Sequence, residues 1–424
     1  MQRRRLLTIA IAWGAFALPR PAAAQSAETE EVAAQPDPET NAPADAPVKR
    51  ASFESLEAED EAPEPKKKKK RKGQRLEFKG RIIARAQLTS RRLDIVGSDL
   101  LRRERRLDSL DLSVPSARAG FHYHTHIPGV SAAASVELTG KPKLKDAFLQ
   151  AKNGQLGLRV GQFKLPGSPF ETASRLALPT AGRGFIHDIL TDRLEIGGRR
   201  PGVAGFGKIK LKKDGVLELT LGAFQGSYLR DEATRDRSLM SMQALGAQTV
   251  VARAEAALAF AQLGLTGNYR VGTNELRQGD EEPAHFWSGG VDAAIDAWLG
   301  GGGLRLWADV NVGESWFVAA KRSATGRPLY TAVRGMAAFR GGGRERGELY
   351  VEPFVMVGGL DPDAKVSHDL ATEAAAGVNA GFWQRGHATL QGGLTRTQRN
   401  FPGSFVLPDY RDQKTLLIQL GAQL

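Results

Sequence analysis

Apolar and polar side chains alternate along most of the chain from residue 76 onward. In the stretch LEFKGRIIARAQL, residues 76–88, apolar side chains occupy one parity and Glu, Lys, Arg and Gln occupy most of the other. Successive side chains of a β-strand point to opposite faces, so this stretch predicts a strand with one apolar and one ionic face. Such a strand is about twice as long as the ~5–6 residues of an average strand.

Sixteen segments of this kind follow one another, and no convincing helical pattern interrupts them. The connections after even-numbered segments are short, whereas most of those after odd-numbered segments are long, at 90–112, 165–202, 272–284, 313–328, 358–370 and 398–413; GKPK at 140–143 is a short exception. An even number of strands with short turns at one end and long loops at the other predicts a 16-stranded antiparallel transmembrane β-barrel. The segments begin near residues 76, 113, 130, 145, 157, 203, 216, 248, 262, 285, 304, 329, 348, 371, 387 and 414.

The two faces of these strands predict two environments. A lysine or arginine on the lipid-facing side of a barrel near the bilayer midplane costs about 2–4 kcal/mol. The ionic side chains of the first segment are therefore expected to face a water-filled lumen, with the apolar face against lipid. A soluble two-sheet sandwich would place the ionic face outside instead, and the strand lengths, the loop asymmetry and the export signal described next favour the barrel.

The first 75 residues differ in composition from the rest. Residues 1–24 combine a basic start, a short apolar core and small residues before Gln25, which predicts a secretory signal peptide ending at Ala24. Residues 25–75 are rich in Ala, Glu, Pro and Asp and contain the run KKKKKRKG, so we expect a disordered periplasmic segment before a barrel domain at 76–424. A basic run of this kind also occurs in nucleic-acid-binding segments, but the export signal argues against that role here.

The chain carries a formal net charge of +12. The excess persists beyond residue 75, because the earlier segment contains nearly as many acidic as basic residues. The alternation predicts acidic inward-facing residues mostly in the second half (Asp292, Asp296, Asp309 and Glu352), so that one wall is basic and the other acidic. The basic residues predicted to line the lumen are Lys79, Arg81, Arg85, Arg118, Lys208, Lys210, Arg253, Arg270 and Arg305.

Residues 144–207 contain motifs that resemble a known family. LRVGQFKLPGSPFE followed by SRLALPT and GGRRPGVAGFG resembles the phosphate-selective porin O/P family, in which a strand ends in Gly-Gln-Phe-Lys and a long loop leads to Gly-Arg-x-x-Gly-Val. The matching positions are Gly161 to Lys164 and then Gly198, Arg199, Gly202 and Val203. The similarity is densest over residues 76–226, and the chain departs from many members of the family by ending in Leu424 rather than an aromatic residue.

This resemblance implies a homotrimer in the Gram-negative outer membrane that lets phosphate-like anions diffuse passively. It also implies that the connection after the fifth segment folds into the barrel and forms a constriction. Arg and Lys suit phosphate because one offers a planar fork and the other a compact charge. The residues expected at the constriction are Lys164, Arg175, Arg183, Arg193 and Arg199.

Two alternatives remain open for the function. The inward carboxylates could cancel the basic field and leave a weakly selective general porin, or the barrel could be structural or adhesive. No catalytic motif stands out, so we expect neither an enzyme nor a cofactor. The expected partners are inorganic anions and outer-membrane lipid, and no nucleic acid.

The motif FHYHTH at 121–126 is a weak candidate for a metal site. Its three histidines, His122, His124 and His126, would share one face of a strand, where neighbouring imidazoles can bind one transition metal. The alternative is that they are ordinary polar residues of the lumen.

Overall fold

The computed structural model describes residues 75–96, 102–194, 196–211, 215–225, 248–273, 283–299, 301–314, 328–343, 345–398 and 410–423. The predicted signal peptide and all but the last residue of the 25–75 segment lie outside these ranges. Within them, no helix has both the length and the apolar character needed to cross a membrane.

Sixteen β-strands form one closed antiparallel barrel. Each strand pairs with its neighbours in sequence, and β1 closes the barrel against β16. The predicted 16-stranded antiparallel barrel is therefore confirmed. The strands are β1 (Arg75–Val96), β2 (Arg102–His124), β3 (Val130–Glu137), β4 (Lys143–Asn153), β5 (Leu156–Lys164), β6 (Arg199–Lys210), β7 (Val216–Gln225), β8 (Gln248–Ala257), β9 (Ala261–Thr273), β10 (Pro283–Leu299), β11 (Gly302–Glu314), β12 (Leu329–Gly342), β13 (Leu349–Asp361), β14 (Ala371–Phe382), β15 (Gly386–Thr397) and β16 (Tyr410–Gln423).

The predicted long loop at 90–112 is wrong. β1 continues to Val96 and β2 begins at Arg102, and the ladder between them continues through the pairs Ser90↔Asp108 and Val96↔Arg102. The charged sequence misled the prediction, because backbone hydrogen bonds between two strands do not require either face to be buried. In the same way β13 extends to Asp361, into the connection predicted at 358–370.

The two faces of the barrel differ as the alternation predicts. In β13, Leu349, Val351 and Val355 are exposed on the outside, whereas Tyr350 and Glu352 between them are buried inside. The same contrast recurs around the barrel, where the exposed large side chains on the outer face are mostly Leu, Val, Ile and Phe. An apolar outer surface and a polar inner surface are the reverse of a soluble sheet protein and match a barrel surrounded by lipid.

Gly161, in the Gly-Gln-Phe-Lys motif at the end of β5, occupies a backbone conformation that other residues rarely adopt. Its φ is +125°, and a Cβ built there would lie 2.2 Å from the carbonyl oxygen of Ala147 on β4. Any side chain at this position would therefore push β4 and β5 apart.

The substitution Gly161→Ala is expected to destabilise the barrel by about 1–3 kcal/mol, because it combines backbone strain with a steric clash. Thermal unfolding of the protein in detergent would measure the loss. Gly205→Ala is the matched control, since an added Cβ on this β6 glycine meets only the carbonyl oxygen of Gly157, at 4.0 Å. Equal unfolding temperatures for the two variants would contradict the prediction.

Candidate functional site

The connection between β5 and β6, residues 165–198, packs against the inner face of the opposite wall. It contains two short helices, α1 (Pro169–Thr172) and α2 (Phe185–Asp188), and a π-helical turn at Ile189–Arg193. Its apolar side chains form two buried clusters with strands β10 to β14. Phe170 and Leu178 pack with Trp307, Met336 and Met356, and Ile186, Ile189 and Leu190 pack with Tyr330 and Leu360.

Polar contacts fasten the same β5–β6 segment to the wall. The guanidinium of Arg305 donates to the carbonyl oxygen of Ala177 at 2.9 Å, and the amide of Asn379 donates to that of Pro179 at 2.6 Å. The Ser168 hydroxyl donates to Asp309 at 2.6 Å. The contacts of Arg305 and Asn379 satisfy backbone carbonyl groups that an irregular segment would otherwise leave unpaired away from water. Two more reach β15 and β1, where Ala181 bonds Gln391 and Arg85.

Glu171 connects the parts of this segment to one another and to β12. One of its carboxylate oxygens lies 2.9 Å from Nη1 of Arg334, and the other lies 2.8 Å from Nδ1 of His187 and accepts a hydrogen bond from Thr191. Burial raises the pKa of the Glu171 carboxyl, but the charges of His187 and Arg334 outweigh it, so the pKa lies well below its ordinary value. Glu171 therefore stays ionised and keeps its partners.

The wall predicted to be acidic is neutralised by arginines. Asp309 accepts two hydrogen bonds from Arg334, at 3.0 and 2.5 Å. Glu352 lies 3.2 Å from Arg305, which also lies 3.6 Å from Asp296. Alternation predicted one basic and one acidic wall, but each of these carboxylates lies beside an arginine of the same wall, so the acidic side carries little net negative charge. Asp292 follows the same rule with Arg253, at 2.6 Å.

The wall formed by β1 to β6 has a different charge balance. Basic side chains gather there within electrostatic reach of one another, around the carboxylates of Glu137 and Asp146. We call this group the basic cluster. It consists of Arg81, Arg118, Lys145, Arg175 and Arg199.

The carboxylates of the basic cluster leave it with an excess of positive charge. Asp146 binds Arg199 at 2.7 Å and Arg118 at 3.5 Å, while Glu137 lies 4.0 Å from Arg81. The Nε of Arg81 is buried and has no hydrogen-bond acceptor among the described residues. An anion entering here would find donors and positive charge that the protein itself does not fully use.

Lys145 joins the cluster through an irregularity that alternation does not show. The register between β3 and β4 shifts, so that Ser135 faces Asp146 and Val136 faces Leu144, with Lys145 as the extra residue. A β-bulge re-aims side chains in this way. The sequence interpretation missed Lys145, Glu137 and Asp146, and the only signal for the bulge was the break in parity where LKDAFLQAK begins.

The residues expected at the constriction occupy different places. The Lys164 ammonium donates to the carbonyl oxygens of Thr172 and Ala173, and the Arg183 guanidinium donates to those of Phe170 and Ala173. These two side chains hold the β5–β6 segment in shape. Arg175 and Arg199 belong to the basic cluster, and the side chain of Arg193 lies outside the described part of the structure.

The remaining lumen candidates are more dispersed. Arg85 bonds Gln419 and the carbonyl oxygen of Ala181, and Lys208 lies 3.2 Å from Glu218. Arg253 and Arg305 are buried in the ion pairs already described. Lys79 and Arg270 are half-buried on β1 and β9, and Lys210 is exposed at the end of β6.

The three histidines of the FHYHTH motif do not stay together. His122 and His124 lie side by side at the end of β2, whereas His126 is exposed in the turn after the strand. The third member of the group is the carboxylate of Glu77 on β1, which lies beside His122 and His124.

Comparisons with known proteins identify the fold. No protein-family model and no curated protein matches the sequence. The chain is similar to the solved structures of an anion-selective porin from Comamonas acidovorans (8% identity, TM-score 0.51, 83% of this chain and 100% of that one) and the outer membrane channel DcaP of Acinetobacter baumannii (12%, 0.51, 82% and 97%). Pseudomonas putida OprB is similar too (10%, 0.50, 82% and 94%). At these identities the likeness establishes a porin-like barrel, and membership of the phosphate-selective porin O/P family stays a prediction.

Proposed function

We propose that this protein is an outer-membrane porin that gives passive, anion-preferring diffusion. The observation that carries the proposal is the basic cluster, in which five basic side chains surround two carboxylates on the inner face of the barrel. Rings and ladders of Arg and Lys favour anions inside a pore. One of the structural neighbours is described as an anion-selective porin, but the argument for this chain rests on its own charges.

The β5–β6 segment supplies the proposed constriction. Its apolar side chains pack against strands β10 to β14, and Arg175 of the same segment lies in the basic cluster on the other side. The path for ions would then run between the segment and the wall of β1 to β6. The cluster would attract the anion and pass it between several weakly binding groups, which permits release.

Phosphate or polyphosphate is the proposed solute class. Arg81, Arg118 and Arg199 present planar guanidinium groups, and Lys145 adds a compact charge beside them. Several such donors within reach of one another suit an anion with more than one acceptor oxygen. In this proposal Lys164 and Arg183 position the segment, and the cluster contacts the anion.

A weakly selective general porin is the second candidate. The observation that favours it is the network of arginine–carboxylate pairs on β8 to β13, which contributes little net field. A structural or adhesive barrel without transport is the third. Measured ion flow separates all three.

The remaining features complete the proposal. The apolar outer face would contact outer-membrane lipid, residues 1–24 would direct export and be removed, and 25–75 would lie in the periplasm. A homotrimer is proposed from the family resemblance. Catalysis, a cofactor and nucleic acid have no part in this function.

The reversal potential of the purified protein in a planar bilayer under a potassium chloride gradient tests the proposal. We expect a potential of the sign that indicates anion preference, and we expect added phosphate to reduce the chloride current. Conductance with neither property would support the general porin. No conductance from correctly folded protein would support the structural barrel and overturn the transport proposal.

A further inference from the structure

The start of β1 and the end of β2 bring three metal-ligating side chains together at the end of the barrel closed by short turns. In the ladder, Glu77 lies directly opposite His122, and Arg75 lies opposite His124. His122 and His124 are two residues apart on one strand, so their imidazoles project from the same face. The motif supplies His122 and His124, and the register of β1 and β2 adds Glu77 to them.

The distances suit a single ion. One ligand atom from each of Glu77, His122 and His124 lies within 4.8 Å of the other two. The Nε2 of His124 is 3.6 Å from Oε1 of Glu77, and the two imidazole centroids are 4.3 Å apart. Two ligand atoms on a tetrahedral zinc ion lie about 3.3–3.5 Å apart. Small rotations of these side chains would bring the three ligand atoms to that spacing without moving the backbone.

The surroundings allow an ion to enter and leave. All three side chains are neither fully buried nor fully exposed, with 45% of the His124 side chain accessible to solvent. Glu77 also contacts the guanidinium of Arg75 at 2.9 Å, but 67% of the Arg75 side chain is exposed. Exposed ion pairs of this kind contribute little, so a divalent ion can displace the arginine. Lys79 lies on the same face of β1, two residues further into the barrel.

We propose that Glu77, His122 and His124 bind a divalent first-row transition metal, with zinc as the ion to test. Two imidazole nitrogens and a carboxylate form a ligand set that zinc uses with a water molecule in the fourth position. Calcium and magnesium prefer sets made of oxygen alone, and the chain has no cysteine to favour softer metals. The ion would cross-link β1 to β2 at the mouth of the barrel and place two positive charges there.

The test is titration of the full chain, folded in detergent and carrying no polyhistidine tag, with zinc chloride in a calorimeter. We expect one zinc ion per chain, and we expect His122→Ala, His124→Ala and Glu77→Gln each to weaken binding about tenfold or more. His126→Ala is the matched control, because it removes a histidine of the same motif that lies outside the group, and it should bind zinc like the unmodified protein. Thermal unfolding with and without zinc adds a second readout, since an ion that binds the folded state raises the unfolding temperature.

Three results would overturn the metal site. The first is no saturable binding to the folded protein. The second is equal affinity in the unmodified protein and in Glu77→Gln, a conservative variant that should fold normally. The third is a loss in His126→Ala as large as that in His124→Ala. None of these results bears on anion permeation, which the reversal potential measures separately.

Discussion

The substitution Arg334→Ala is expected to release the β5–β6 segment from the barrel wall and to raise the single-channel conductance. Arg334 is fully buried and joins Asp309 on β11 to Glu171 in α1. Its guanidinium also lies 4.8 Å from the ring centroid of Phe170 in the same helix. Removing it would leave Asp309 without its arginine and would take one of two charged partners from Glu171, which keeps His187. Breaking a buried ion pair on one side costs about 3–5 kcal/mol.

Three measurements would detect the release of the segment. Single-channel recording should show larger and noisier conductance, thermal unfolding should occur at lower temperature, and trypsin should cut at Arg175 or Arg183 more readily. Arg334→Lys should have an intermediate effect, because lysine keeps the charge and loses the fork that binds both oxygens of Asp309.

Arg396→Ala is the control for this prediction. Arg396 on β15 forms an ion pair with Asp412 at 3.4 Å, but 72% of its side chain is exposed. Exposed pairs contribute about 0–1 kcal/mol, so this variant should conduct and unfold like the unmodified protein. If Arg334→Ala matched the control in all three measurements, the segment would be held by its apolar clusters and its other hydrogen bonds, and the prediction would be wrong.

Charge reversal in the basic cluster is expected to change the preferred ion without destabilising the barrel. At about 8 Å in water, two unit charges interact by about 0.5 kcal/mol. Replacing a cation by a carboxylate therefore changes the energy of a passing anion by about 1 kcal/mol and that of a cation by the same amount in the opposite direction. The two changes together alter the ratio of anion to cation permeability by about 2 kcal/mol, so the ratio should fall by about thirtyfold for each position at low salt, and by less at high salt.

Arg175→Glu and Lys145→Glu are the best positions for this test. Arg175 donates a hydrogen bond to the carbonyl oxygen of Pro115, at 3.3 Å. Lys145 is the extra residue of the bulge between β3 and β4. Each has like charges close by, so a carboxylate at either position relieves repulsion. The double variant is expected to prefer cations in the reversal-potential measurement.

Lys210→Glu controls for the change in total charge. Lys210 is exposed at the end of β6, outside the cluster, and the substitution alters the net charge of the protein by the same amount as each test variant. Its permeability ratio should shift much less. Equal shifts in Lys210→Glu and Arg175→Glu would mean that total charge controls selectivity and that the cluster has no special part.

The alternation of side chains was sufficient to identify the barrel. A strand such as β13, with Val351 and Val355 outside and Glu352 inside, shows its two faces in the sequence because side chains alternate strictly along an extended backbone. All predicted strands begin within about four residues of the observed ones, except β2. There the pairing of β1 with β2 continues beyond the amphipathic stretch, and nothing in the apolar pattern marks where it stops.

The site depended on contacts between residues far apart in sequence. Alternation placed Arg305 and Asp309 on the inner face, but only the tertiary structure pairs Arg305 with Glu352 and brings Arg334 to both Asp309 and Glu171. Which charges are neutralised depends on strand register, on the bulge at Lys145 and on the folded path of the β5–β6 segment. The sequence by itself therefore determined the architecture and the sign of the charge, because both follow from local alternation and composition. Tertiary structure alone decided which basic residues hold the protein together and which remain for an anion.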